Sequence, residues 1–171
     1  MKILLEGRPG SGKTTVVARL VDLLRERGVA VLGFVTHELR EQGRRVGFEV
    51  ETFDGRHATL AHTSFSGPPR VGKYGVDIEA FETVALPGLE QARSGGVVVI
   101  DELGKMELAS ERFRATVLEI FETDAEVVAT VHVFAHPLTD ALKQRADVER
   151  IRVTHASRDD LPLQLVQRLS A

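Results

Sequence analysis

The sequence predicts an α/β fold in three layers, in which helices cover both faces of a mostly parallel central sheet and an antiparallel hairpin is added to that sheet. Segments with strand character alternate with segments of helical periodicity along the 171 residues, as in parallel sheets whose strands are connected by helices. Residues 97–100 are four β-branched residues in succession, which is typical of a strand buried on both faces. Asp54-Gly55 separates two alternating segments and predicts the turn of the hairpin.

The N-terminal half begins with a unit of strand, loop and helix. An apolar strand is predicted over Lys2–Glu6, and the helical pattern after the following glycine-rich loop ends near Gly28. A second strand over Val29–Thr36 follows without a long linker, consistent with a right-handed crossover between parallel strands. The two strands of the hairpin are predicted over Val46–Phe53 and His57–Thr63.

The C-terminal half continues the alternation of strands and helices. Ser64–Tyr74 is rich in Ser, Gly and Pro and predicts an exposed, lid-like loop. No linker, repeat or charge block divides the chain, so we expect one domain over residues 1–171. The remaining predicted elements are a helix over Ile78–Arg93 interrupted by Pro87, a helix over Ser110–Thr123, a strand over Val127–Val131, a helix near Pro137–Gln144, a strand near Glu149–Val153 and a helix from about Asp160 to Leu169.

The composition excludes several classes of protein. The 22 Lys and Arg against 25 Asp and Glu give a formal net charge of −3, which argues against an extended nucleic-acid surface. The absence of cysteine excludes disulfides, zinc–cysteine sites and thiol nucleophiles. No apolar stretch approaches the roughly 18 residues of a membrane span, and Glu6 follows the apolar start too early for a signal peptide. We therefore expect a cytoplasmic protein without membrane contact, and the sequence does not identify a protein partner.

A glycine-rich loop at residues 7–14 follows the first predicted strand, with the pattern Gly, four residues, Gly-Lys-Thr. Glycines let such a loop fold tightly with its N–H groups pointing inward, and the start of the next helix adds partial positive charge. The pattern therefore predicts a cradle for the phosphates of a nucleotide, with Lys13 as a catalytic residue at the β- and γ-phosphates and Thr14 as a Mg²⁺ ligand. The predicted nucleotide-binding residues here are Gly7, Arg8, Pro9, Gly10, Ser11, Gly12, Lys13, Thr14 and Thr15, of which Thr15 also suits a helix start.

Two carboxylates, Asp101 and Glu102, end the strand that begins at Val97. Nucleotide hydrolases with a phosphate loop place acids at this position, so we assign Asp101 to Mg²⁺, through water. Glu102 is assigned as the catalytic residue that orients or deprotonates the attacking water, a contribution of about 10²–10⁴ in rate. Lys105 follows on the loop, where it contacts phosphate, stabilises Glu102 or is a solvated lysine. Glu107 is interpreted as an acid at the N-terminus of a helix.

The chain resembles the small P-loop nucleoside-triphosphatase family first noted in thermophiles, which includes the cancer-related nucleoside-triphosphatase. The resemblance covers nearly the whole chain, and it is carried by the glycine-rich loop and by three more selective segments. These segments are Gly33-Phe34-Val35-Thr36 with Glu38, Arg40 and Gly43-Arg44-Arg45-Val46-Gly47-Phe48, then Val71-Gly72-Lys73-Tyr74-Gly75-Val76-Asp77, and then Ile100-Asp101-Glu102-Leu103-Gly104-Lys105-Met106-Glu107.

This resemblance implies a P-loop NTPase fold and Mg²⁺-dependent hydrolysis of ATP, GTP, CTP, UTP and TTP to the diphosphate and phosphate, with weak discrimination between bases. It implies nucleotide contacts by residues 7–14 and by Val98, Val99, Ile100, Asp101, Glu102, Leu103, Gly104 and Lys105. Members of the family often have Asn-Arg-Asp near the end, where this chain has Ser157-Arg158-Asp159. Arg158 is therefore either close to the base or an ordinary surface arginine.

Hydrolysis also needs positive charge near the phosphate charge that develops, and an arginine finger contributes about 10³–10⁵ in rate. Five cations lie in loops or in the hairpin, and each is otherwise simply surface charge. Lys73, in Gly-Lys-Tyr-Gly, is the catalytic candidate that we would test first. The five cations are Arg40, Arg44, Arg45, Arg70 and Lys73.

Three histidines are further candidates for the site. His37 follows the second strand and either positions water or is solvent-exposed. His132 and His136 have the i, i+4 spacing of some zinc sites, but Val-Phe-Ala lies between them and Pro137 follows directly. Helical display of both rings is therefore doubtful, and we assign no zinc.

Two other functions remain open. A nucleoside or nucleotide kinase would use an organised acceptor instead of water, but the sequence has no clear acceptor motif and Glu102 favours hydrolysis. A nucleotide-controlled binding switch with slow hydrolysis would use the Pro/Gly-rich loop as its moving part. A DNA motor is disfavoured by the acidic balance and the lack of interleaved aromatic residues, and guanine selection lacks an Asn-Lys-x-Asp element.

Overall fold

The computed structural model describes residues 1–169, so the last two residues of the predicted domain lie outside it. Within these residues, nine strands form one sheet, and helices cover both of its faces. The strands are β1 (Lys2–Glu6), β2 (Val31–Glu41), β3 (Arg44–Thr52), β4 (His57–His62), β5 (Arg70–Val71), β6 (Tyr74–Val76), β7 (Val97–Leu103), β8 (Glu126–Val131) and β9 (Val148–Arg152). The helices are α1 (Lys13–Glu26), α2 (Ile78–Glu90), α3 (Glu111–Phe121), α4 (Pro137–Gln144) and α5 (Leu161–Arg168), with short 3₁₀ segments at Gln91–Ser94 and Glu107–Ala109.

The sheet is mixed, with the strand order β5-β6-β4-β3-β2-β7-β8-β1-β9. The ladders that join β2, β7, β8, β1 and β9 are parallel. The ladders that join β2, β3, β4, β6 and β5 are antiparallel. The predicted α/β fold is confirmed, but the prediction of a mostly parallel sheet with one added hairpin is wrong, because antiparallel ladders are as numerous as parallel ones.

The antiparallel ladder between β2 and β3 was not predicted, and the physical reason lies in the sequence of strand β2. This strand was predicted to end at Thr36, but it continues to Glu41 and turns back into β3 at Gln42-Gly43. Residues 37–45 are mostly charged, so the apolar alternation that indicates a strand stops at Thr36. Cross-strand charge holds the extension instead, since the Arg45 guanidinium donates to Glu38 at 2.8 Å.

The predicted lid-like loop, Ser64–Tyr74, is partly wrong as well. Strand β5 and the first residue of β6 lie within this segment and pair with each other. Tyr74 is only 6% exposed, and its ring packs edge-on against Phe48 with the centroids 5.3 Å apart. A buried aromatic anchor therefore ties the end of this segment to the hairpin.

The hydrophobic core lies in two layers because alternate residues of the buried strands point to opposite faces. Val98 and Ile100 of β7 pack on one face with α2, α3 and α4, whereas Val97 and Val99 pack on the other with α1 and α5. On the first face Phe34, Phe81 and Phe113 form a cluster whose ring centroids are 5.2–5.6 Å apart. These clusters fix β7 rigidly between the two helical layers.

Helices α2 and α3 start at side-chain caps, as their sequences indicate. Asp77 accepts from the backbone N–H of Ala80 at the start of α2, and Ser110 accepts from that of Phe113 at the start of α3. The predicted interruption at Pro87 does not occur, because α2 continues through it to Glu90. In the part of the chain that the structure describes, no helix combines the length and apolar character that a membrane crossing requires.

The strand order decides where a site can form. Strand β8 lies between β7 and β1, and the carboxyl ends of these parallel strands meet at one edge of the sheet. Leu5 pairs with Thr130 and Ile100 pairs with Ala129, so the three strand ends are level. Ligands of open α/β sheets bind at this edge.

Candidate active site

The glycine-rich loop connects β1 to α1 and depends on its glycines. Gly10 and Gly12 have φ of 79° and 100°, in the left-handed region that favours glycine. A Cβ on Gly7 would collide with the Ser11 hydroxyl. Lys13 begins α1 and is only 9% exposed, and its Nζ donates to the Gly7 carbonyl oxygen at 2.9 Å. The loop therefore holds one nearly buried ammonium group.

Asp101 lies deep at the end of β7, with 3% of its surface exposed. The Thr130 hydroxyl of the neighbouring strand β8 donates to its Oδ1 at 2.5 Å. The other carboxylate oxygen, Oδ2, is buried and has no hydrogen-bond partner among residues 1–169. A buried polar atom without a partner is costly, so Oδ2 is suited to bind an additional polar group or cation.

Glu102 follows Asp101 and is half-buried. Burial raises the pKa of its carboxyl to about 7, and the charge of Asp101 acts in the same direction, whereas the ammonium of Lys13 lowers it. Lys13 follows the loop after β1 and Glu102 lies near the end of β7, and in the sheet only β8 lies between these two strands. His132, directly after β8, places its Nε2 3.3 Å from Glu102 Oε1.

Glu107 forms a second buried acid behind Glu102. Only 3% of its surface is exposed, and its Oε1 accepts from the Thr36 hydroxyl of β2 at 3.0 Å. A Cβ on Gly104 would lie 2.7 Å from Glu107 Oε2 and 3.0 Å from Glu102 Oε1, so both carboxyls face the same glycine. Burial raises the pKa of Glu107 to about 8, and the charge of Glu102 adds to this effect. Glu107 is therefore a buried, protonated acid at neutral pH and not a simple helix-terminal charge.

Replacement of Glu107 by glutamine is expected to reduce the pH dependence of stability. With a folded pKa near 8 and an ordinary value of 4.5, the acid is protonated in the folded protein and ionised in the unfolded chain between these values. Its contribution to stability is thus complete below pH 4.5 and is lost as the pH rises through 8, by about 3 kcal/mol between pH 5 and 8. Urea unfolding at both pH values measures this loss in the wild type and in Glu107→Gln.

A matched control for this measurement is Glu119→Gln, on the exposed face of α3. This variant should retain the wild-type difference between pH 5 and pH 8. An equally steep loss of stability in Glu107→Gln would contradict the assignment of a protonated acid at Glu107.

The predicted Mg²⁺ ligands supply oxygen atoms, which are the donors that this ion prefers. The unpartnered Oδ2 of Asp101 is one, and the Thr14 hydroxyl in the first turn of α1 is the other. The described residues contain no group of three or more His, Asp or Glu side chains arranged to hold a metal. A site with few protein ligands suits Mg²⁺, because this ion keeps several waters and binds substrate phosphates.

Lys73 lies far from the other predicted site residues. It lies in the turn between β5 and β6, where it is exposed and its Nζ contacts the Tyr74 ring at 5.4 Å. Five strands separate β6 from β1 in the sheet, at about 4.8 Å per strand. In the described conformation Lys73 is therefore remote from Lys13.

The candidate arginines are engaged in other contacts. Arg40 and Arg45 both donate to Glu38 on the β2–β3 hairpin. Arg70 donates to the backbone carbonyls of Phe65 and Lys73 at 2.9 and 2.8 Å. Arg44 is exposed in the same hairpin. None of these contacts reaches Lys13, Asp101 or Glu102.

The remaining sequence candidates have distinct surroundings. Lys105 is exposed, and its Nζ lies 4.4 Å from the centroid of the Phe134 ring. His37 is exposed and pairs with Glu51 at 3.1 Å. His136 accepts from the backbone N–H of Leu138 and so caps α4. Arg158 packs over Gly12, where an added Cβ would lie 2.9 Å from its Cδ, so this arginine borders the glycine-rich loop.

Thr130 and His132 contact Asp101 and Glu102 but were not predicted for this site, whereas Thr36, which contacts Glu107, belongs to the segment Thr36-His37-Glu38 that was expected to face the crevice. Thr130 lies near the carboxyl end of β8 and His132 directly follows that strand, whereas Thr36 lies within β2. The signal that could have found them is their position, because polar residues at the ends of apolar parallel strands meet at one edge of the sheet. Which of these residues contacts which acid depends on the order of the strands in the sheet, and the sequence pattern does not give that order.

The sheet, its two helical layers and the polar residues at the carboxyl ends of three parallel strands define an α/β protein with its site at the open edge of the sheet. A family model described as NTPase matches residues 2–166. The chain belongs to this NTPase family. The predicted family resemblance and the prediction of a nucleoside-triphosphatase enzyme are thereby confirmed.

Similar proteins carry consistent names. The nucleoside-triphosphatase THEP1 of Thermotoga sp. (strain RQ2) is 42% identical over 162 residues, which cover 94% of this chain and 91% of that protein. THEP1 of Thermofilum pendens is 44% identical over 172 residues, 98% of this chain and 94% of that protein. The crystal structure of THEP1 from Aquifex aeolicus has a TM-score of 0.90 at 36% identity and full coverage of both chains. The solution structure of a human cancer-related nucleoside triphosphatase has a TM-score of 0.84 at 37% identity, with 99% and 97% coverage.

Proposed function

We propose that this protein hydrolyses nucleoside triphosphates to the diphosphate and phosphate, with Mg²⁺ and with weak discrimination between bases. The observation that supports this proposal most is that Lys13 and Glu102 lie at the same edge of the sheet, at the ends of two strands that only β8 separates. Lys13, only 9% exposed, lies at the start of the helix that follows the glycine-rich loop. Glu102 is half-buried and has a pKa of about 7, which the charge of Lys13 lowers. The first group suits a phosphate and the second suits an attacking water.

Substrate binding uses the loop and the start of α1. The backbone N–H groups of residues 7–14 and the helix terminus attract the triphosphate, and Lys13 exchanges its contact with the Gly7 carbonyl for the β- and γ-phosphates. Thr14 and Asp101 would hold Mg²⁺, which would supply positive charge to neutralise the phosphates. Thr130 keeps Asp101 in place for this role, because its hydroxyl occupies Oδ1 and leaves Oδ2 available.

Hydrolysis then proceeds by in-line attack of water. The water oxygen forms a bond to the γ-phosphorus while the bond from this phosphorus to the β–γ bridging oxygen breaks, and the diphosphate leaves with the electron pair. Glu102 accepts the proton that the water loses. A carboxyl with a pKa near 7 suits this step, since it is substantially ionised at neutral pH and is more basic than an ordinary glutamate.

Weak discrimination between bases follows from what the loop recognises. Backbone N–H groups and Lys13 contact phosphate, which all nucleoside triphosphates share. Arg158 borders Gly12 and is the nearest candidate for contact with the nucleoside, and a guanidinium can stack on any base. The proposed substrates are therefore ATP, GTP, CTP, UTP and TTP.

Phosphate release from these five nucleotides tests the proposal directly. With Mg²⁺ present we expect the five values of kcat/KM to fall within about tenfold of one another, because no base-specific hydrogen bond is required. Removal of Mg²⁺ by a chelator should abolish release, and its re-addition should restore it. The nucleoside diphosphates serve as the control for general phosphatase activity.

Four results would redirect the proposal. A preference above a hundredfold for one base, or full activity with the chelator, would contradict the corresponding part of it. New phosphorylated product after addition of nucleosides would favour the kinase alternative. A partner that binds in only one nucleotide state would favour the switch.

A further inference from the structure

We infer that His132 is a positioning residue for Glu102, holding one carboxylate oxygen so that the other faces the attacking water. The inference rests on the proposed function of Glu102 as the base. It starts from the place of His132 in the fold. This residue directly follows β8, the strand that lies between β7 with its two acids and β1 with the glycine-rich loop.

The contact between the two side chains is specific to one oxygen. His132 Nε2 lies 3.3 Å from Glu102 Oε1, and the same Oε1 lies 3.0 Å from the position that a Cβ on Gly104 would take. Oε1 is therefore enclosed between the imidazole and the glycine. Such contacts in the free enzyme commonly shorten when substrate binds.

The imidazole is itself held in place. Its ring stacks on Phe134, with the centroids 4.8 Å apart and the planes 17° from parallel. Lys105 Nζ lies 4.4 Å from the centroid of the same Phe134 ring. Because Phe134 is 49% exposed, burial alone would not hold its ring in place. The contacts of this ring with His132 and with Lys105 order the loop instead.

The surroundings of His132 assign its tautomer. Its Nδ1 is buried and has no hydrogen-bond partner within residues 1–169. A buried N–H without a partner is rarer than a buried acceptor without one, so the proton belongs on Nε2, which faces Glu102. Burial lowers the pKa of His132, and the charges of Lys13 and Lys105 lower it further, so the ring is neutral at neutral pH. Nε2 then offers its N–H to the ionised carboxylate without adding a charge near the phosphates.

This arrangement gives His132 a role in turnover and not in binding. A base that is oriented by a third group is a recurring device in catalysis. Loss of the imidazole should leave the glycine-rich loop intact but let the Glu102 carboxylate rotate away from the water. We therefore expect His132→Ala to lower kcat about tenfold while KM and the affinity for a non-hydrolysable nucleotide stay within twofold of the wild type.

The experiment compares kcat, KM and nucleotide affinity in the wild type and five variants, of which His132→Ala is the first. His132→Gln retains an N–H donor near the position of Nε2 and should recover kcat to within about threefold of the wild type. His57→Ala is the matched control, because His57 contacts Glu49 at 3.4 Å in a surface pair on the β3–β4 hairpin, and it should behave as wild type. Glu102→Gln alone and Glu102→Gln with His132→Ala complete a double-mutant cycle.

The cycle separates action through Glu102 from an independent effect. If His132 positions Glu102, adding His132→Ala to Glu102→Gln should cause no further loss of kcat. A second tenfold loss, a raised KM with unchanged kcat, or wild-type kcat in His132→Ala would overturn the inference. If His132→Ala does not fold, judged by its melting curve, the failure of folded His132→Gln to reach about a third of the wild-type kcat would overturn it too. Absence of phosphate release by the wild type would instead contradict the proposed function itself.

Discussion

Replacement of Glu102 by glutamine is expected to lower kcat for phosphate release by about 10²–10⁴ while nucleotide binding is retained. Glutamine has nearly the same shape as glutamate, so the β7 end and its contact with His132 should be little disturbed. It cannot accept the proton of the attacking water, however, so the step assigned to Glu102 is lost. The measurement is kcat from phosphate release, together with the affinity for a non-hydrolysable nucleotide.

The pH profile gives this prediction a second readout. Because the pKa of Glu102 lies near 7, the ionised base is present above pH 7 and is protonated below it. In the wild type kcat/KM should therefore fall about tenfold per pH unit below 7, and the residual activity of Glu102→Gln should lack this dependence. Glu26→Gln, at the exposed end of α1, is the control and should retain the wild-type profile. Normal hydrolysis by Glu102→Gln would remove Glu102 from the role of base.

The two sequence segments that lead to Glu102 and Lys13 could be recognised because each is local. A glycine loop between a strand and a helix, and two acids at the end of a β-branched strand, each lie within about ten residues. Their geometry follows from short-range rules of strands, turns and helix starts. The approach of Lys13 to Glu102 then follows from the level carboxyl ends of parallel strands.

The partners of the acids could not be identified in the same way. Thr130 contacts Asp101 across 29 positions of sequence, and Thr36 contacts Glu107 across 71. Which strand lies beside β7 is decided by packing of whole elements, and no local pattern contains that information. The environment of Glu107 has the same origin, since an acid that local rules place at a helix start is turned inward toward Gly104 and Thr36.

One error in the predicted sheet, the early end of β2, arises where charge replaces apolar patterning. The extension of β2 beyond Thr36 is a strand of mostly charged residues, held by cross-strand contacts such as Arg45 with Glu38. Arginine candidates in this hairpin are engaged there and not at the acids of β7. From the sequence, the arginines of this segment indicate either solvent-exposed charge or an arginine finger. In the structure, contacts such as that of Arg45 with Glu38 stabilise the hairpin instead.

The second large effect is expected on replacement of Lys13 by alanine, which should weaken binding as well as turnover. Lys13 is nearly buried at the start of α1, so its charge acts where water screens it poorly. In the complex, Lys13 and the bound phosphates form a poorly screened charge pair, and removing one member of such a pair costs about 2–5 kcal/mol. This cost corresponds to a loss of affinity for the triphosphate of roughly 30-fold to several thousand-fold. Binding of a non-hydrolysable triphosphate and kcat/KM measure the two consequences.

The matched control is Lys143→Ala, which removes another partly buried lysine, one that contacts Asp140 on α4 at 3.7 Å. It should leave both the affinity and the rate at wild-type values. Unchanged binding and turnover in Lys13→Ala would contradict the assignment of the loop as the phosphate site. Glu102→Gln should keep the affinity that Lys13→Ala loses. The two variants together therefore separate phosphate recognition by the loop after β1 from proton transfer at the end of β7. A loss of affinity in both variants would show that Glu102 holds the substrate and does not act on water.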